Sequence, residues 1–416
     1  MGQRTEFDFE HFLKQVRDLV AGPLLDAEAD IEMQDRVPDD LTEVMAELGL
    51  FGLTLPIGYG GLGLSAQQSA LVMEQIGRVH SAVRGLLAAS NGIVGKTIER
   101  HGTEAQRRSY LPGLAAGTIR SALAATEPQA GSDLTLMETE ARRVEFGYEL
   151  SGRKYLVTNG DRADVLVVLA QTDRVAGRRG LSAFLVDAAS EAVTVEVVQP
   201  SMAPGGYHLA ELRFSRCLVS AGSILGQPGQ GLDVLRSGLV WGRLLLAAGA
   251  VGMSTRLVEE AARHAASRVQ GGKPIGLHQT VANMLADMAI ETASVRHLVR
   301  HTGLVMDREF SGRDGDNGRD RVDGNSGVKS VVEAPSGAVA SSIAKVAASE
   351  AACRVADSAL QVCGGRAYLA GHPVERMYRE ARLLRLAEGT SEMHRLSLGR
   401  ALMAHSEGIT PFVDGL

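Results

Sequence analysis

The feature that most narrows the folds open to this chain is the order in which two hydrophobic periodicities follow one another. From Phe7 to about Gly117, apolar residues recur at three- and four-residue spacing. They do so in Phe12 to Ala21, Leu41 to Leu48, Ser65 to Val79 and Leu86 to His101, the pattern of helices that bury one face. Turn chemistry at Pro56, Gly58, Gly60 and Gly61 separates two of these helices. From about Leu123 to Leu225 the pattern changes to short runs rich in Val, Leu and Tyr. The runs Tyr148 to Val157, Val165 to Ala170, Ser182 to Val186, Val193 to Val198 and Glu211 to Phe214 predict strands. After the turn-rich Gly226 to Gly231, helical periodicity returns from about Leu232 to His405, broken at Gly271 to Gly276 and at one long polar stretch. The order predicts an α+β protein, mostly α, with a helical domain over 1–122, a β domain over 123–231 and a helical domain over 232–416.

Length agrees with that division, since 416 residues suit two or three cores of about 150 residues each. A content of 45% hydrophobic and 22% charged residues is that of a soluble globular chain. The net charge of -6 provides no basic field for nucleic acid. Cys217, Cys353 and Cys363 lie far apart without a CxxC pair, which points to three buried thiols rather than a disulfide framework or a zinc site. The polar stretch Asp307 to Gly337 predicts a flexible surface insertion. Its Asp314, Asp316 and Asn317 suggest a calcium loop, but Gly318 stands where a further oxygen ligand belongs and no Glu follows at the required spacing, so no metal site is expected. The first residues show no apolar signal core. The longest apolar stretch, near Val240 to Val251, is interrupted by Arg243 and falls short of the roughly 18 residues of a membrane span. A cytoplasmic protein without membrane insertion is the expectation.

Four clusters carry candidate chemistry. Ala125-Thr126-Glu127-Pro128-Gln129-Ala130-Gly131-Ser132-Asp133 opens the β region with small residues whose backbone N–H groups can approach an anionic or carbonyl ligand; it also reads as a turn capped by Ser or Asp. Tyr155-Leu156-Val157-Thr158-Asn159-Gly160 ends a strand in a hairpin signal and sets a hydroxyl at its end, as a plain turn would. Arg268 to Ile275 closes a long helix and is followed by His278 and Gln279; basic residues there also complement the helix dipole. The fourth cluster runs from Gln361-Val362-Cys363-Gly364-Gly365 through Arg376, Arg379 and Arg382 to Glu388-Gly389-Thr390-Ser391-Glu392. Glu388 follows the apolar Leu383, Leu384, Leu386 and Ala387 and precedes a tight Gly-Thr-Ser turn into a helix. Either a desolvated carboxylate or an exposed helix-start Glu fits that position.

Together and in this order, the four clusters resemble those of the acyl-CoA dehydrogenase family over nearly the whole chain, with the Thr-Glu-Pro-x-Ala-Gly-Ser-Asp and Gln-x-x-Gly-Gly to Glu-Gly-Thr strings the most specific. The resemblance implies an N-terminal helical domain, a middle β-barrel-like domain and a C-terminal four-helix bundle, assembled as a homodimer or homotetramer. It implies FAD as cofactor, with Leu123, Ala125, Thr126, Gly131 and Ser132 lining the flavin together with Leu156, Val157 and Thr158. Arg268, His278, Gln279, Gln361, Gly364 and Gly365 then meet FAD, several of them that of a neighbouring subunit, and Thr390 and Glu392 hold it from the other side. Glu388 matches the catalytic base, and Ser132, Arg243 and Gly389 match positions that meet the substrate. The implied reaction is α,β-dehydrogenation of an acyl-CoA thioester, with an electron-transfer flavoprotein as oxidant.

The chain departs from the family pattern at several positions. Leu156 replaces an aromatic residue, Gly271 a Phe, Ala387 a frequent Tyr and Val240 a frequent Asp, and the segment Ala203 to Glu211 lacks the usual Arg, Ser and Thr pattern. These changes gather where the thioester would lie, which keeps an acyl carrier protein thioester open in place of acyl-CoA. A flavin-dependent oxygenase on the same fold is the further alternative, against which Glu388 argues.

Overall fold

A computed structural model describes residues 7–311 and 336–404. Seven helices come first: α1 (Phe9–Leu19), α2 (Glu28–Gln34), α3 (Asp39–Glu47), α4 (Ala66–Ile76), α5 (Ser81–Ala88), α6 (Val94–His101) and α7 (Glu104–Ala115). Helix α4 begins at a capping box in which Ser65 and Gln68 satisfy each other's backbone N–H groups. Leu86 to His101 is helical throughout, but α5 passes into α6 by way of a π-helical turn, Ala89–Ile93. Such turns insert one residue into the helical register and so re-aim the side chains that follow. Helices α2 and α7 lie outside the helical runs read from periodicity: α2 has only 7 residues and α7 carries Pro112 in its interior.

The strands β1 (Ser121–Ala124), β2 (Glu140–Val144), β3 (Gly147–Thr158), β4 (Val165–Gln171), β5 (Leu181–Asp187), β6 (Val193–Val198), β7 (Leu209–Ser220) and β8 (Ile224–Leu225) form one sheet in the order β6-β7-β3-β2-β4-β5-β8. Strand β1 joins it in parallel to β4. Every residue of β4 is buried, as its unbroken apolar run Val165 to Ala170 requires. The register of β3 against β7 shifts between Lys154 and Val157, and this bulge sets Leu156 at φ 55° with its side chain exposed.

Beyond the sheet come α8 (Gly231–Ser267), the short hairpin β9 (Val269–Gln270) and β10 (Lys273–Pro274), α9 (Gln279–Ser311), α10 (Ser336–Cys363), α11 (Pro373–Leu384) and α12 (Ser391–Ala404). Helix α8 is the axis of the molecule: it packs on α10, α9, α4 and α6, and its run Leu244 to Met253 is buried throughout. By length and composition this helix could cross a membrane, contrary to the expectation for Val240 to Val251, but 78% of its apolar window is buried inside the fold. Its core is shared with the N-terminal helices, because close helix contact at Gly77 and Gly249 brings α4 onto α8. A Cβ at Gly77 would stand 2.1 Å from the Gly249 carbonyl oxygen. Of the cysteines, Cys217 and Cys363 are buried as expected, whereas Cys353 is half-buried and donates its thiol to the Ala381 carbonyl at 3.2 Å. The expected polar insertion over 307–337, its calcium-like Asp314, Asp316 and Asn317 included, falls outside the described residues except at its ends, which are helical through Ser311 and from Ser336.

Candidate active site

Glu388 stands between α11 and α12 with φ 56°, followed by Gly389 at φ 99°. A left-handed conformation is uncommon for a residue with a Cβ and persists only where its surroundings hold it. Three donors from the surrounding helices do so here. The Glu388 carbonyl accepts from Arg243 Nε of α8 at 3.4 Å and lies 3.2 Å from His394 Nε2 of α12. The Gly389 carbonyl accepts from Lys345 Nζ of α10 at 2.6 Å. Burial, reinforced by the charges of Arg243 and Lys345, pushes His394 down to about 4, so it is neutral at pH 7 and serves as an Nε2–H donor. With the two carbonyls pinned, the Glu388 N–H makes no hydrogen bond within the chain among the described residues and is free for a ligand.

The carboxylate itself rests on α8. A Cβ added to Gly242 would lie 2.6 Å from Glu388 Oε2 and 2.9 Å from Ile93 Cγ1, so glycine at this position leaves the room that the carboxylate occupies. Although the residue as a whole is half-buried, Oε2 is buried and has no hydrogen-bond partner. Desolvation therefore dominates and raises Glu388 to about 7, against the pull of Arg243, Lys345 and Arg84. An apolar approach in sequence has become a buried carboxylate in space, and the exposed alternative is excluded. Lys345, fully buried, is lowered by the same desolvation to about 8 and remains a cation at neutral pH.

The loop after β1 is held by a buried ion pair that the motif reading missed. Lys154 Nζ of β3 donates to Glu127 Oε1 at 2.7 Å and to the Ala125 carbonyl at 3.2 Å. Glu127 also accepts the N–H groups of Glu138 and Thr139 at 2.7 and 3.0 Å. Tyr155 N–H donates to the Thr126 carbonyl at 2.8 Å, which joins the first two sequence clusters into one surface. On that surface Leu123, Thr126 and Thr158 are half-buried, while Gly131, Ser132 and the Leu156 side chain are exposed. Ala125 and Val157 turn their side chains into the core, so they can meet a ligand only through backbone. Thr158 stands beside the Tyr207 hydroxyl, and Tyr207 feels the charges of Arg84 and Glu388; this connects the β surface to the carboxylate.

Arg268, Gln279, Gln361, Gly364 and Gly365 do not join Glu388. They are exposed, at the ends of α8 and α10 and the start of α9, with His278 half-buried among them and its Nε2 3.0 Å from the Gln270 carbonyl. Thr390 Oγ1 accepts the Met393 N–H at 3.3 Å at the start of α12, and Glu392 is exposed beside it. Nothing lies within 4 Å of where a Cβ would sit on Gly131, Gly364 or Gly365. Packing within this chain does not require glycine at Gly131 or Gly365, and both fit a surface that another molecule approaches closely. Residues that the motifs did not single out, Arg84, Tyr207, Gly242, Lys345 and His394, complete the surroundings of Glu388. Lys345 left a sequence signal, as the one charge in the run Gly337 to Ser349.

Comparison with known proteins bears on this geometry. Residues 7–118 match the N-terminal domain of acyl-CoA dehydrogenases, 122–217 the middle domain, and 229–315 with 326–403 the C-terminal domain. An acyl-CoA dehydrogenase of Bacillus subtilis (strain 168) is 33% identical over 390 residues, covering 94% of this chain and 96% of that protein. The solved butyryl-CoA dehydrogenase from Megasphaera elsdenii superposes with a TM-score of 0.85 at 28% identity, over 97% of this chain and 100% of that one. The prolyl acyl carrier protein oxidase AnaB superposes with a TM-score of 0.84 at 27% identity, over 96% of this chain and 99% of that one. With all three family domains matched in order along its length, this chain belongs to the acyl-CoA dehydrogenases, oxidoreductases of acyl thioesters.

Proposed function

We propose that the protein catalyses FAD-dependent α,β-dehydrogenation of an acyl-CoA, with Glu388 removing the α-proton. The observation that carries the reading is the buried, unpartnered Oε2 on a carboxylate raised to about 7. A Glu at its ordinary pKa of about 4.3 is too weak a base for a carbon acid, whereas one near 7 is matched to neutral pH. The free N–H of Glu388 is suited to polarise the thioester carbonyl and so acidify the α-carbon. Arg243 and His394 keep that N–H directed into the site by holding the carbonyl of the same residue. The chemistry FAD supplies when bound is acceptance of the β-hydrogen as hydride. Leu123 to Ser132 with Leu156 to Thr158, and Thr390 with Glu392, are assigned to the flavin, while Ser132, Arg243 and Gly389 are assigned to the substrate.

Arg268, His278, Gln279, Gln361, Gly364 and Gly365 are assigned to FAD across a homodimer or homotetramer interface, a role that their position on the surface of the single chain supports. An electron-transfer flavoprotein is the assigned oxidant. An acyl carrier protein thioester is the second reading of the substrate. Its support is Val240, which sits in the apolar core where a frequent carboxylate is missing. The likeness to AnaB, a prolyl acyl carrier protein oxidase, adds to it.

The test is anaerobic bleaching of the FAD-loaded protein by a panel of acyl-CoA and acyl carrier protein thioesters. Bleaching by at least one thioester, abolished in a Glu388→Gln protein that keeps its flavin, is the expected result. Bleaching by the same thioester that survives Glu388→Gln overturns the assignment of the base.

A further inference from the structure

The segment from Ser201 to His208, between β6 and β7, is tied down from several elements. Arg379 Nη1 donates to the Met202 carbonyl at 3.2 Å, the Gly205 N–H to Glu32 Oε2 at 2.9 Å and the Gly206 N–H to Asp35 Oδ1 at 2.6 Å. His208 lies between two carboxylates, with Nδ1 2.6 Å from Asp161 Oδ2 and Nε2 2.9 Å from Asp35 Oδ2. Gly206 takes φ 76° and runs so close to α5 that a Cβ on it would stand 3.0 Å from the Ala82 Cβ. Together these contacts fix the backbone that carries Tyr207.

Tyr207 turns its ring onto the same face of α5, one turn on from Ala82. Two ring carbons lie 3.0 Å from where a Cβ on Gly85 would sit, so glycine there leaves the room that the ring fills. The hydroxyl bonds Thr158 and faces the charges of Arg84, Glu388 and Glu380; burial raises its pKa, so the phenol is neutral at pH 7. Glu388 rests against Gly242 and Ile93, whereas Arg84 packs on Gly249, seven residues further along α8 or roughly 10 Å at the helical rise. A chain that leaves the base along the crevice between α5 and α8 therefore meets Tyr207 and the buried, unpartnered Arg84 Nη1 at its far end. Gly85 also lines a cavity with Leu86, Ser90, Ile119, Ser121 and Asn159.

We propose that Tyr207 is a specificity-determining residue that ends the acyl pocket: its ring walls off the cavity beyond Gly85 and restricts the substrate to short acyl groups. The proposal rests on the dehydrogenase reading and selects among its substrates by length. Further methylenes would have to displace a ring whose backbone is pinned on both sides, or lie against a buried cation. Tyr207 belongs to the segment Ala203 to Glu211, where this chain departs from the family pattern, so the wall is a property of this chain and not of the fold.

The experiment measures binding by calorimetry to the FAD-loaded protein, using S-butyl-CoA and S-octyl-CoA, thioethers that lack the carbonyl needed for turnover. Four further methylenes gain at least about tenfold in affinity where a pocket receives them. The unaltered protein should bind S-octyl-CoA no more tightly than S-butyl-CoA. Tyr207→Ala should bind S-octyl-CoA at least about tenfold more tightly than S-butyl-CoA, and Tyr207→Phe, which keeps the ring, should behave as the unaltered protein does. Tyr207→Leu gives the same reading should Tyr207→Ala not hold FAD. Tighter binding of S-octyl-CoA by the unaltered protein, or no gain for it in the shortened variants, overturns the proposal. A gain of the same size in Tyr207→Phe also overturns it, because the hydroxyl and not the ring would then set the length. Bleaching by an acyl-CoA alongside tighter binding of S-octyl-CoA by the unaltered protein sinks this proposal and leaves the dehydrogenase reading intact. Binding of neither thioether, with no bleaching by any acyl-CoA, overturns the acyl-CoA reading and this proposal with it.

Discussion

Lys345→Met tests how the site sets the strength of its base. Lys345 Nζ donates to the carbonyl of Gly389, the residue after the base, and its charge favours the ionised form of Glu388. For opposite charges on the order of 7 Å apart at an effective dielectric constant of about 20, the attraction is about 2 kcal/mol. Arg243 and Arg84 remain and water can enter the gap, so a change of about one pKa unit, or about 1.4 kcal/mol, is the expected net effect. The sign follows from the base being active when ionised. Removing a cation destabilises the carboxylate, so the rising limb of the pH profile moves up from about 7 to about 8. At pH 7 the ionised fraction falls from about a half to about a tenth, a loss of about fivefold, and by pH 9.5 the variant approaches the parent. The assay is single-turnover flavin reduction across pH 6 to 10, with Lys345→Arg as the control that keeps the charge and the limb. A loss of equal size at every pH would mean that Lys345 only positions the loop, and a limb displaced below 7 would refute the electrostatic reasoning.

Two further outcomes probe the neighbourhood. Gly242→Val should displace the Glu388 carboxylate, since even a Cβ would stand 2.6 Å from Oε2. We expect flavin reduction to slow by at least about tenfold with substrate binding changed less, because a misplaced base costs mainly in the chemical step; unchanged reduction kinetics would refute this packing. Glu127→Gln removes one partner of the buried pair with Lys154, whose side chains are 2% and 0% exposed, and should cost about 3 to 5 kcal/mol in chemical denaturation. The double variant Glu127→Gln with Lys154→Met should recover part of that loss, and a double variant no more stable than the single one would contradict a cost arising from the stranded charge.

Local signals determined much of this protein. Periodicity along single segments marked most helices and every strand from β3 to β7, because which face of an element is apolar depends only on neighbours a few residues away. Strings such as Thr126 to Asp133 and Glu388 to Thr390 identified the family for the same reason, as contiguous turns whose geometry is set by adjacent residues. The motifs also marked Glu388, but its neighbouring residues by themselves fitted an exposed helix-start Glu as well as a desolvated carboxylate. What decided between the two was tertiary. The carboxylate lost its water to Gly242 and Ile93, and its backbone took the left-handed turn held by Arg243, 145 residues away, and by Lys345 and His394. Arg84 reads in the sequence as one charge on an apolar helix, and only packing against Gly249 and Tyr207 leaves it buried without a partner. Desolvation and Coulomb energy depend on distances between segments far apart in the chain, which no local pattern encodes.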